Sequence, residues 1–520
     1  IGAAGGFGPQ EVMKDFSKDQ IEDGDVFLMN DAYRLGNHLP EMTVVVPVFI
    51  RDELLFFTVA RAHHHDVGGP TPGSLNARAN SIYAEGIRIP PVKLFEKGKL
   101  NRALVDTIKL NVRDPEVLWS DLMAEIGACN VGKKRLIEAL GSKYSNEEIR
   151  KIVAAVLEAA ERQCREEIRK LPNGKYYAEY SMDNDGINND PVTFRVNVIV
   201  EDDEITVDYT GTDPQAEGSK NCTMATTYSG THVAVLWALS GAIPRNSGAF
   251  RPVKIIAPEG TLVNPRHPAA VGMCTLPPAC AMMGAVLKAF GDADPNRVPA
   301  GFFSVFTAGY GGVDPRTGKV FIGWLFGALG GGGGHSHRDG DSFVAPISNY
   351  NGIVVPNIET DEINFPIKTL RHEYVPDTGG AGKYRGGNGV EYTIQFRGVD
   401  PDVSVFGDGA VIPAYGINGG APGSLNEGYL HYGRPNEKKL SSNEGWNKAK
   451  SGDTVTVISA GGGGWGDPLE RDPYAVLEDV IDEMTTIEKA REWYGVVIED
   501  GKLDQAATDR LRAEMKSRRK

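Results

Sequence analysis

Three consecutive histidines followed by an aspartate form the densest concentration of chemically active side chains in the sequence. They are His63, His64, His65 and Asp66, and the chain contains only ten histidines in all. Neutral imidazole and carboxylate are suitable ligands for Zn²⁺, Mn²⁺ or Fe²⁺, and a histidine oriented by a carboxylate can instead act as a general base. The sequence leaves both chemistries open, together with the plainer interpretation of a hydrogen-bonded strand end.

The histidines follow a short apolar run that is typical of a buried strand. Leu54–Ala60 is rich in branched and aromatic residues, and the glycines and prolines of residues 67–74 then require an irregular loop. Side chains alternate along a strand, so we expect His63 and His65 to share one face while His64 points to the other. Such a strand end, opening into a loop, is a common place for functional residues.

Two earlier segments are also predicted to be strands, and the loop between them supplies further candidates. Asp25–Met29 and Thr43–Ile50 are apolar runs, and the loop that joins them contains Asp31, His38 and Glu41. Consecutive strands neighbour each other in a sheet roughly two-thirds of the time. We therefore expect Asp31 and His38 to reach the histidine cluster.

Glycine is over-represented, and two glycine-rich loops carry a second set of candidates. The chain has 63 glycines in 520 residues, against a usual share of ~7%. Gly330–Gly334 precede His335 and His337, and a later glycine-rich loop contains Lys383 and Arg385. Successive glycine amides can form an anion-binding nest, and cationic side chains can bind phosphate or carboxylate. A purely structural role for these loops is the alternative.

Composition and charge exclude several classes of function. The net charge is −14 and the acidic residues are dispersed, which argues against a nucleic-acid partner. No apolar stretch approaches the ~20 residues that span a bilayer, so no membrane association is expected. The five cysteines are far apart, a pattern that predicts reduced thiols and a cytoplasmic protein. No Gly-Lys-Ser or Gly-Lys-Thr follows the glycine run, so we expect no P-loop nucleotide site.

The arrangement of predicted elements indicates a mixed α+β fold. Asp114-Pro115 and the capping box Ser145–Glu148 start two helices that would join near Gly141 as an antiparallel hairpin. Strand patterns near residues 25–60 and 190–260 would pack around this hairpin, and further helices would follow Asp472-Pro473. The expected class is therefore a strand-rich, glycine-loop architecture with a helical hairpin and a C-terminal helical segment.

We expect one structural unit over residues 1–520, divided into four regions. The opening stretch Ile1–Gly8 resembles neither a signal peptide nor an initiator segment, so we also expect residues upstream of it. The regions are a strand and loop region that holds the site (1–113), the helical hairpin (114–171), a strand- and glycine-rich region (172–470) and the C-terminal helices (471–520).

Many motifs, in order, resemble the hydantoinase B/oxoprolinase family. This family includes subunits of N-methylhydantoinases and of acetone and acetophenone carboxylases, and 5-oxoprolinases. The resemblance extends from about residue 20 to 497. The segments that carry it are Gly24–Phe27, Asn30–Tyr33, Gly36–Glu41, His63–Ser74, Glu85–Pro91, Phe250–Pro252, Ala257–Gly260, Pro376–Gly389 and Gly461–Pro468.

The resemblance implies a subunit of an ATP-dependent, multi-subunit enzyme. A hydantoinase A-type subunit with an actin-like ATPase fold would phosphorylate the substrate, and this chain would complete the reaction within a hetero-oligomer. The expected reaction is hydrolytic ring opening of a cyclic amide, such as a hydantoin, 5-oxoproline or a lactam. Carboxylation of a ketone is the alternative, and a non-catalytic scaffold for the ATPase is the third interpretation.

The family's metal site implies roles for individual residues. The match to its His-His-x-Asp motif makes His63 and Asp66 the metal-ligand candidates, with His38 and His65 assisting in catalysis. Related sites take a further histidine about two dozen residues on, whereas this chain has Arg88 there. This departure puts metal occupancy in question and gives Arg88 a different expected role, the neutralisation of a phosphorylated intermediate. Further substrate or phosphate contacts are expected from Asp31, His335, His337, Lys383 and Arg385.

Overall fold

A five-stranded antiparallel sheet frames the N-terminal part of the chain. Its order is β3-β2-β1-β4-β5, so the three strands predicted before residue 64 are confirmed as neighbours. The hairpin between β2 and β3 turns at Arg51 and Asp52, both of which have positive φ. The strands are β1 (Val26–Met29), β2 (Glu41–Ile50), β3 (Glu53–His63), β4 (Val92–Glu96) and β5 (Lys99–Leu100).

The computed structural model describes residues 6–76, 78–239, 242–349, 353–445 and 447–519. Most of the opening stretch Ile1–Gly8 therefore lies outside the described residues. Two compact units are present. The first contains residues up to 177, 185–188 and 194–282, and the second contains 178–184, 189–193 and the chain from 283 onwards.

Helices cover both faces of the five-stranded sheet, because its central strands are apolar on both sides. Helix α1 (Phe7–Asp15) lies over the face that carries Val45 and Val59. The other face packs against α2 (Arg102–Leu110) and α3 (Pro115–Leu136). Successive side chains of β3 therefore point alternately towards the α1 face and towards the α2 and α3 face of the sheet, as strand alternation requires.

The two helices predicted after Asp114 and Ser145 are present and begin at the predicted caps. The Asp114 side chain accepts from the Val117 amide at the start of α3, and Ser145 and Glu148 form a capping box at the start of α4 (Asn146–Ile168). A π-helical turn over Ile137–Gly141 ends α3, close to the predicted join. Helix α4 contacts the next strand pair through an ion pair of 2.9 Å between Arg165 and Asp203.

The region after α4 contains two helices as well as the predicted strands. Strands β7 and β8 pair as an antiparallel hairpin, and β9 runs parallel to β8. Helix α5 is buried on nearly every side and is built of small and apolar residues, so it has no polar face to reveal it in the sequence. The elements are β6 (Gly174–Met182), β7 (Val192–Glu201), β8 (Glu204–Asp208), α5 (Met224–Ala238), β9 (Val253–Ile256) and α6 (Pro277–Ala293).

Two antiparallel sheets share one apolar core in the second unit. Phe306, Ile394, Val403 and Val455 from the two sheets lie in this core. The sheet orders are β11-β10-β14-β17 and β12-β13-β18-β15-β16. The elements are β10 (Phe306–Val313), β11 (Val320–Trp324), α7 (Ile358–Asn364), β12 (Ile367–Tyr374), β13 (Val390–Phe396), β14 (Asp402–Gly407), β15 (Glu427–Leu430), β16 (Lys438–Leu440), β17 (Asn447–Lys448) and β18 (Thr454–Ile458).

Glycine-rich segments of the second unit pack backbone against backbone. The amide of Gly462 donates to the carbonyl of Gly387 at 3.0 Å, and the amide of Gly387 donates to that of Gly332 at 2.9 Å. A Cβ atom on Gly462 would lie 2.0 Å from the Gly332 carbonyl oxygen, and one on Gly331 would lie 1.9 Å from that of Gly387. Only glycine permits this approach, so here the glycine excess has a structural cause.

The C-terminal part is helical, as predicted, and also contains a short hairpin. The Asp472 side chain caps α8, as expected, and the Thr486 side chain caps α9. Within the described residues, no helix combines the length and apolar character needed to cross a membrane. The elements are α8 (Pro473–Ile481), α9 (Ile487–Tyr494), β19 (Ile498–Glu499), β20 (Lys502–Leu503) and α10 (Gln505–Arg518).

Candidate functional site

Two histidines and a glutamate converge at the open end of the β2–β3 hairpin. Glu41 and His63 are directly opposite each other in the strand register, and His38 precedes β2 by one turn. His38 Nε2 lies 3.1 Å from His63 Nδ1 and 3.5 Å from Glu41 Oε1. One ligand atom from each of the three residues lies within 4.8 Å of the others. His38 and Glu41 are buried while His63 is exposed, so the cluster is open on one side.

Neighbouring polar groups fix the orientation of this cluster. The backbone carbonyl of Gly272 accepts from His38 Nδ1 at 2.7 Å, and because a carbonyl only accepts, the proton is on Nδ1 and Nε2 faces the cluster. Asn37 Nδ2 donates to Glu41 Oε2 at 2.6 Å. Thr226 in turn donates to Asn37 Oδ1 at 3.3 Å. Such supporting hydrogen bonds are typical of residues that hold a ligand in a defined geometry.

Electrostatics favour an ionised glutamate beside a basic histidine. Burial opposes ionisation of Glu41, but hydrogen bonding to His38, the charges of His38 and His63 and the Asn37 amide together lower its pKa to about 2. Burial likewise opposes protonation of His38, yet Glu41 and the Gly272 carbonyl raise its pKa. Desolvation by the surrounding protein, together with the charge of His38, lowers the pKa of His63. His63 is therefore neutral at physiological pH and retains a lone pair.

A buried glutamate, Glu85, holds the segment that orients His38. Its Oε1 accepts from the Val271 amide at 2.9 Å and from the Gly272 amide at 2.6 Å, while its Oε2 is buried without a hydrogen-bond partner among the described residues. Burial raises the pKa of Glu85 to about 7, against the lowering effect of the two amides and His38. Glu85 therefore acts on His38 through the backbone at Gly272.

The expected alternation of the three histidines is present at His63 and His64. His64 points to the α3 side, where its Nε2 lies 2.8 Å from Glu125 Oε1 and its ring is fully buried. His65 follows the end of β3 and is half-buried. Among the described residues, the three possible ligands that lie together are His38, Glu41 and His63, and His65 is not one of them.

Asp66 holds the glycine- and proline-rich loop in place. Its Oδ1 accepts from the Gly68 and Arg113 amides, each at 3.0 Å. Its Oδ2 accepts from the Gly73 amide at 3.2 Å and from Arg113 Nη1 at 2.7 Å. Both oxygens are thus fully occupied, and in the described structure Glu41, rather than Asp66, lies beside His63.

Asp31 and Arg88 form a separate ion pair. Arg88 Nη2 donates to both Asp31 oxygens at 3.1 and 2.9 Å, and Arg88 Nη1 donates to His267 Nε2 at 3.0 Å. The Tyr83 ring lies against the guanidinium at 5.6 Å. The positive charge of Arg88 is therefore neutralised by Asp31, and Asp31 is not in the described group of possible metal ligands.

The candidates of the glycine loops belong to the second unit and are largely engaged with their own neighbours. His335 Nε2 accepts from Arg338 at 3.2 Å, and desolvation together with Arg338 lowers the pKa of His335 to about 4. His337 is exposed, and its Nδ1 lies 3.4 Å from the Ser336 hydroxyl. These contacts keep His335 neutral and place no carboxylate beside His337 in the described contacts.

Lys383 and Arg385 also have carboxylate partners. Arg385 Nε donates to Asp479 at 2.8 Å, and its amide donates to Asp339 at 2.9 Å. Arg471, which is buried, binds both of these aspartates and completes a four-residue network. Lys383 Nζ lies 3.6 Å from Glu470 and is partly exposed. Arg385 is thus mainly a structural cation, while Lys383 remains accessible.

The sequence analysis placed Glu41 in the loop between two predicted strands, but it assigned no role to Glu41, Glu85 or Arg61. The position of Glu41 in the sequence does not mark it as a partner of His63, because the two residues are brought together by strand register rather than by their separation along the chain. Arg61 stands two residues before His63, so strand alternation could have placed it on the same face. Glu85 gives no local signal, since its partners Val271 and Gly272 lie far along the chain.

The donor set of the three-residue cluster fits a divalent transition metal. Two imidazoles and one carboxylate are a common combination for Zn²⁺, Mn²⁺ or Fe²⁺, and the outer nitrogen of His38 is bound by a carbonyl, as is usual for ligating histidines. His38 Nε2, a Glu41 oxygen and one ring nitrogen of His63 would hold the ion. The exposed side at His63 would leave a position open for water or substrate.

Comparison with known proteins agrees with the resemblance seen in the sequence. The hydantoinase B/oxoprolinase family model matches residues 5–468. The B-type component of a putative D-/L-hydantoinase from Pseudomonas sp. (strain NS671) is 33% identical over 97% of this chain and 86% of that protein. The beta component of the caprolactamase of Pseudomonas jessenii is 32% identical over 96% and 87%.

Two solved structures share the fold. The ATP-dependent caprolactamase from Pseudomonas jessenii superposes with a TM-score of 0.88 at 30% identity, covering 98% of this chain and 89% of that one. A nucleotide-free acetone carboxylase superposes with a TM-score of 0.89 at 22% identity, covering 100% and 75%, and at that identity it supports the fold alone. Because the family model matches most of this chain, the chain belongs to the hydantoinase B/oxoprolinase family.

Proposed function

We propose that this chain is a subunit of an ATP-dependent enzyme that completes the conversion of a substrate phosphorylated by a partner subunit. The proposed reaction is hydrolytic opening of a cyclic amide of the hydantoin, 5-oxoproline or lactam type. Relatives named as components of a putative hydantoinase and of a caprolactamase support this choice. Their names also support a hetero-oligomer, for which we propose a hydantoinase A-type ATPase as the partner.

The observation that carries this proposal is the His38–Glu41–His63 cluster. Its three side chains combine a buried anion, a basic imidazole and an exposed neutral imidazole within 4.8 Å. A scaffold has no need of a buried histidine–glutamate pair beside an exposed imidazole, whereas a site that activates water can use all three groups.

The chain's own residues can activate water. When Nε2 of His38 is unprotonated, His63 Nδ1 donates to it; His63 Nε2 on the exposed edge can then accept a proton from water while its Nδ1 passes a proton to His38, the more basic ring. General-base assistance of this kind is typically worth ~10²–10⁴ in rate. Glu41 stabilises the positive charge that develops on the two rings. A divalent metal bound by the same residues would supply a Lewis acid and lower the pKa of a coordinated water from ~15.7 towards ~7.

Ketone carboxylation is the second candidate reaction. It is supported by the fold shared with an acetone carboxylase, although a shared fold alone does not specify chemistry. The same cluster would then orient an activated carboxyl donor or deprotonate the ketone instead of activating water.

The test is turnover by the co-purified complex of this chain and its ATPase partner. We expect ATP-dependent ring opening of at least one member of a panel of hydantoins, 5-oxoproline and lactams, with aryl and alkyl ketones testing the carboxylase alternative. His63→Ala should lower product formation by at least ~10² while ATP binding by the partner is unchanged. Full product formation by His63→Ala would show that the chemistry lies elsewhere, with His335 and His337 the next candidates.

Asp66→Asn is the matched control, because it changes the adjacent motif outside the cluster. Loss of the Asp66–Arg113 ion pair should destabilise the fold by about 3 kcal/mol and leave the metal content of the folded protein unaltered. His63→Ala should instead reduce metal content, measured by elemental analysis, with little loss of stability. A stable Asp66→Asn protein that has lost its metal would make Asp66 a ligand, as the family motif implies.

A further inference from the structure

Arg61 stands one register position from the cluster on the same face of the sheet. The β2–β3 register pairs Glu41 with His63 and Thr43 with Arg61. Residues two apart along a strand point to the same face, so Arg61 and Thr43 lie directly behind His63 and Glu41. Arg61 therefore lies on the face of the sheet that carries the cluster.

The contacts of the Arg61 guanidinium are incomplete. Its Nε donates to Thr43 Oγ1 at 2.8 Å. Both terminal nitrogens, Nη1 and Nη2, are buried and have no hydrogen-bond partner among the described residues. No carboxylate of the described residues makes an ion pair with Arg61, whereas Arg88 and Arg113 in the same unit each have one.

A buried guanidinium with unused donors is unfavourable for stability. Removing a charged group from water is unfavourable unless a partner compensates for it, and an unsatisfied buried donor adds to that cost. Glu41 is the charge that favours the Arg61 cation most, but its oxygens are engaged with Asn37 and His38. The fold thus retains a buried cation next to the cluster that has no ion-pair partner among the described residues.

The two free nitrogens define the chemistry of the missing partner. Arginine presents parallel N–H groups that match two oxygens of a phosphoryl or carboxylate group. We propose that Arg61 binds an oxyanion, phosphoryl or carboxylate, beside the His38–Glu41–His63 cluster. That the oxyanion belongs to the activated substrate rests on the proposed function; the binding of an oxyanion by Arg61 does not.

The proposal predicts an unusual combination of effects on stability and binding. Arg61→Met keeps the length of the side chain and removes the charge, so the variant should unfold at a higher temperature than the wild type. The wild-type melting temperature should rise by ~1 °C or more in millimolar inorganic phosphate, because a ligand that binds only the folded state stabilises it. Arg61→Met should show no such rise, and Arg61→Lys, which lacks the planar fork, should show at least tenfold weaker phosphate binding.

The experiment is scanning calorimetry of the full chain with phosphate or hydrogencarbonate, at ionic strength matched with chloride. Arg102→Met, a change at an exposed helical arginine, is the control and should respond as the wild type does. A response to phosphate alone identifies a phosphoryl group, and a response to hydrogencarbonate identifies a carboxylate-type anion. An Arg61→Met protein that melts below the wild type, or that responds to the anions at the same concentrations as the wild type, would overturn the proposal. A wild type that responds to neither anion would overturn it as well.

Both proposals can fail independently. The anion response requires neither turnover nor a metal. If the chain shows this response but its complex opens no cyclic amide, Arg61 remains an oxyanion site and only the proposed reaction is refuted. If a complex that carries Arg61→Met opens the ring with the wild-type rate and KM, the role of Arg61 in substrate binding is refuted. The role proposed for the cluster is then unaffected.

Discussion

At the scale of single residues, His38 links the cluster to the rest of the first unit. Its Nδ1 is fixed by the Gly272 carbonyl at 2.7 Å, so its Nε2 can carry either a proton or a metal ion, but not both. Gly272 is itself held by Glu85 through two amide hydrogen bonds. The geometry of the cluster therefore depends on a buried carboxyl group that touches none of its three members.

Glu85 also gives the unfolding free energy a distinctive pH dependence. Burial raises its pKa to about 7, whereas an unfolded glutamate titrates near ~4.3. Between these values the folded chain retains a proton that the unfolded chain has released. The contribution of Glu85 to stability therefore falls as the pH rises from about 4.5 to about 7 and is constant above that.

We expect Glu85→Gln to remove this dependence. Glutamine keeps an oxygen that can accept from both amides, but it does not ionise. Between pH 5 and 7.5 the unfolding free energy of the variant should improve relative to the wild type by about 2 kcal/mol, the part of the pKa difference that titrates in this range. Urea unfolding at several pH values measures this change, with Glu96→Gln at an exposed position as the control. Parallel profiles for wild type and Glu85→Gln would show that Glu85 is ionised throughout.

At the scale of elements, the register of the β2–β3 hairpin creates the site. Phe49 pairs with Leu54, but Val48 pairs with Phe56, so Leu55 is an extra residue in β3. Without this bulge Glu41 would lie opposite Ala62, and His63 would turn to the other face of the sheet, because a slip of one residue reverses every side chain. The bulge therefore brings Glu41 and His63 together.

The glycine segments of the second unit are equally dependent on exact geometry. We expect Gly462→Ala to destabilise this unit by more than about 4 kcal/mol, since its Cβ would lie 2.0 Å from the Gly332 carbonyl oxygen and other backbone surrounds it. Gly445→Ala, where nothing lies within 4 Å of the added atom, should change stability by less than ~1 kcal/mol. Thermal unfolding of the two variants measures the difference, and equal melting temperatures would contradict close backbone packing as the cause of the glycine excess.

These elements show which features local patterns could predict. Strands β1 to β3, the cap at Asp114 and the capping box at Ser145 were predictable because each depends on residues within a few positions. The approach of His38 to His63 followed from strand adjacency. Glu41 was not assigned because a bulge cannot be located from apolar periodicity, and α5 was missed because a helix buried on every side has no amphipathic pattern.

At the scale of the whole molecule, the glycine amides bear on whether this chain can bind nucleotide. A nest of free amides is what a phosphate group would need. The amides of Gly331, Gly332 and Gly334 instead donate to carbonyls at 2.9–3.0 Å, and so do those of Gly462 and Gly464. The cations of the neighbouring loop are similarly engaged, Arg385 with Asp479 at 2.8 Å and Lys383 with Glu470 at 3.6 Å.

We therefore expect the isolated chain neither to bind ATP with micromolar affinity nor to hydrolyse it. The sequence lacks Gly-Lys-Ser and Gly-Lys-Thr, and a net charge of −14 repels a polyanion at long range. Binding would have to break backbone hydrogen bonds in the glycine segments, each of which costs about 1 kcal/mol or more when left unmade. Calorimetric titration with Mg-ATP should give no saturable heat for this chain and a saturable heat for its complex with the proposed ATPase partner. A micromolar dissociation constant for the chain alone would place nucleotide chemistry in this subunit and remove the reason for assigning phosphorylation to a partner.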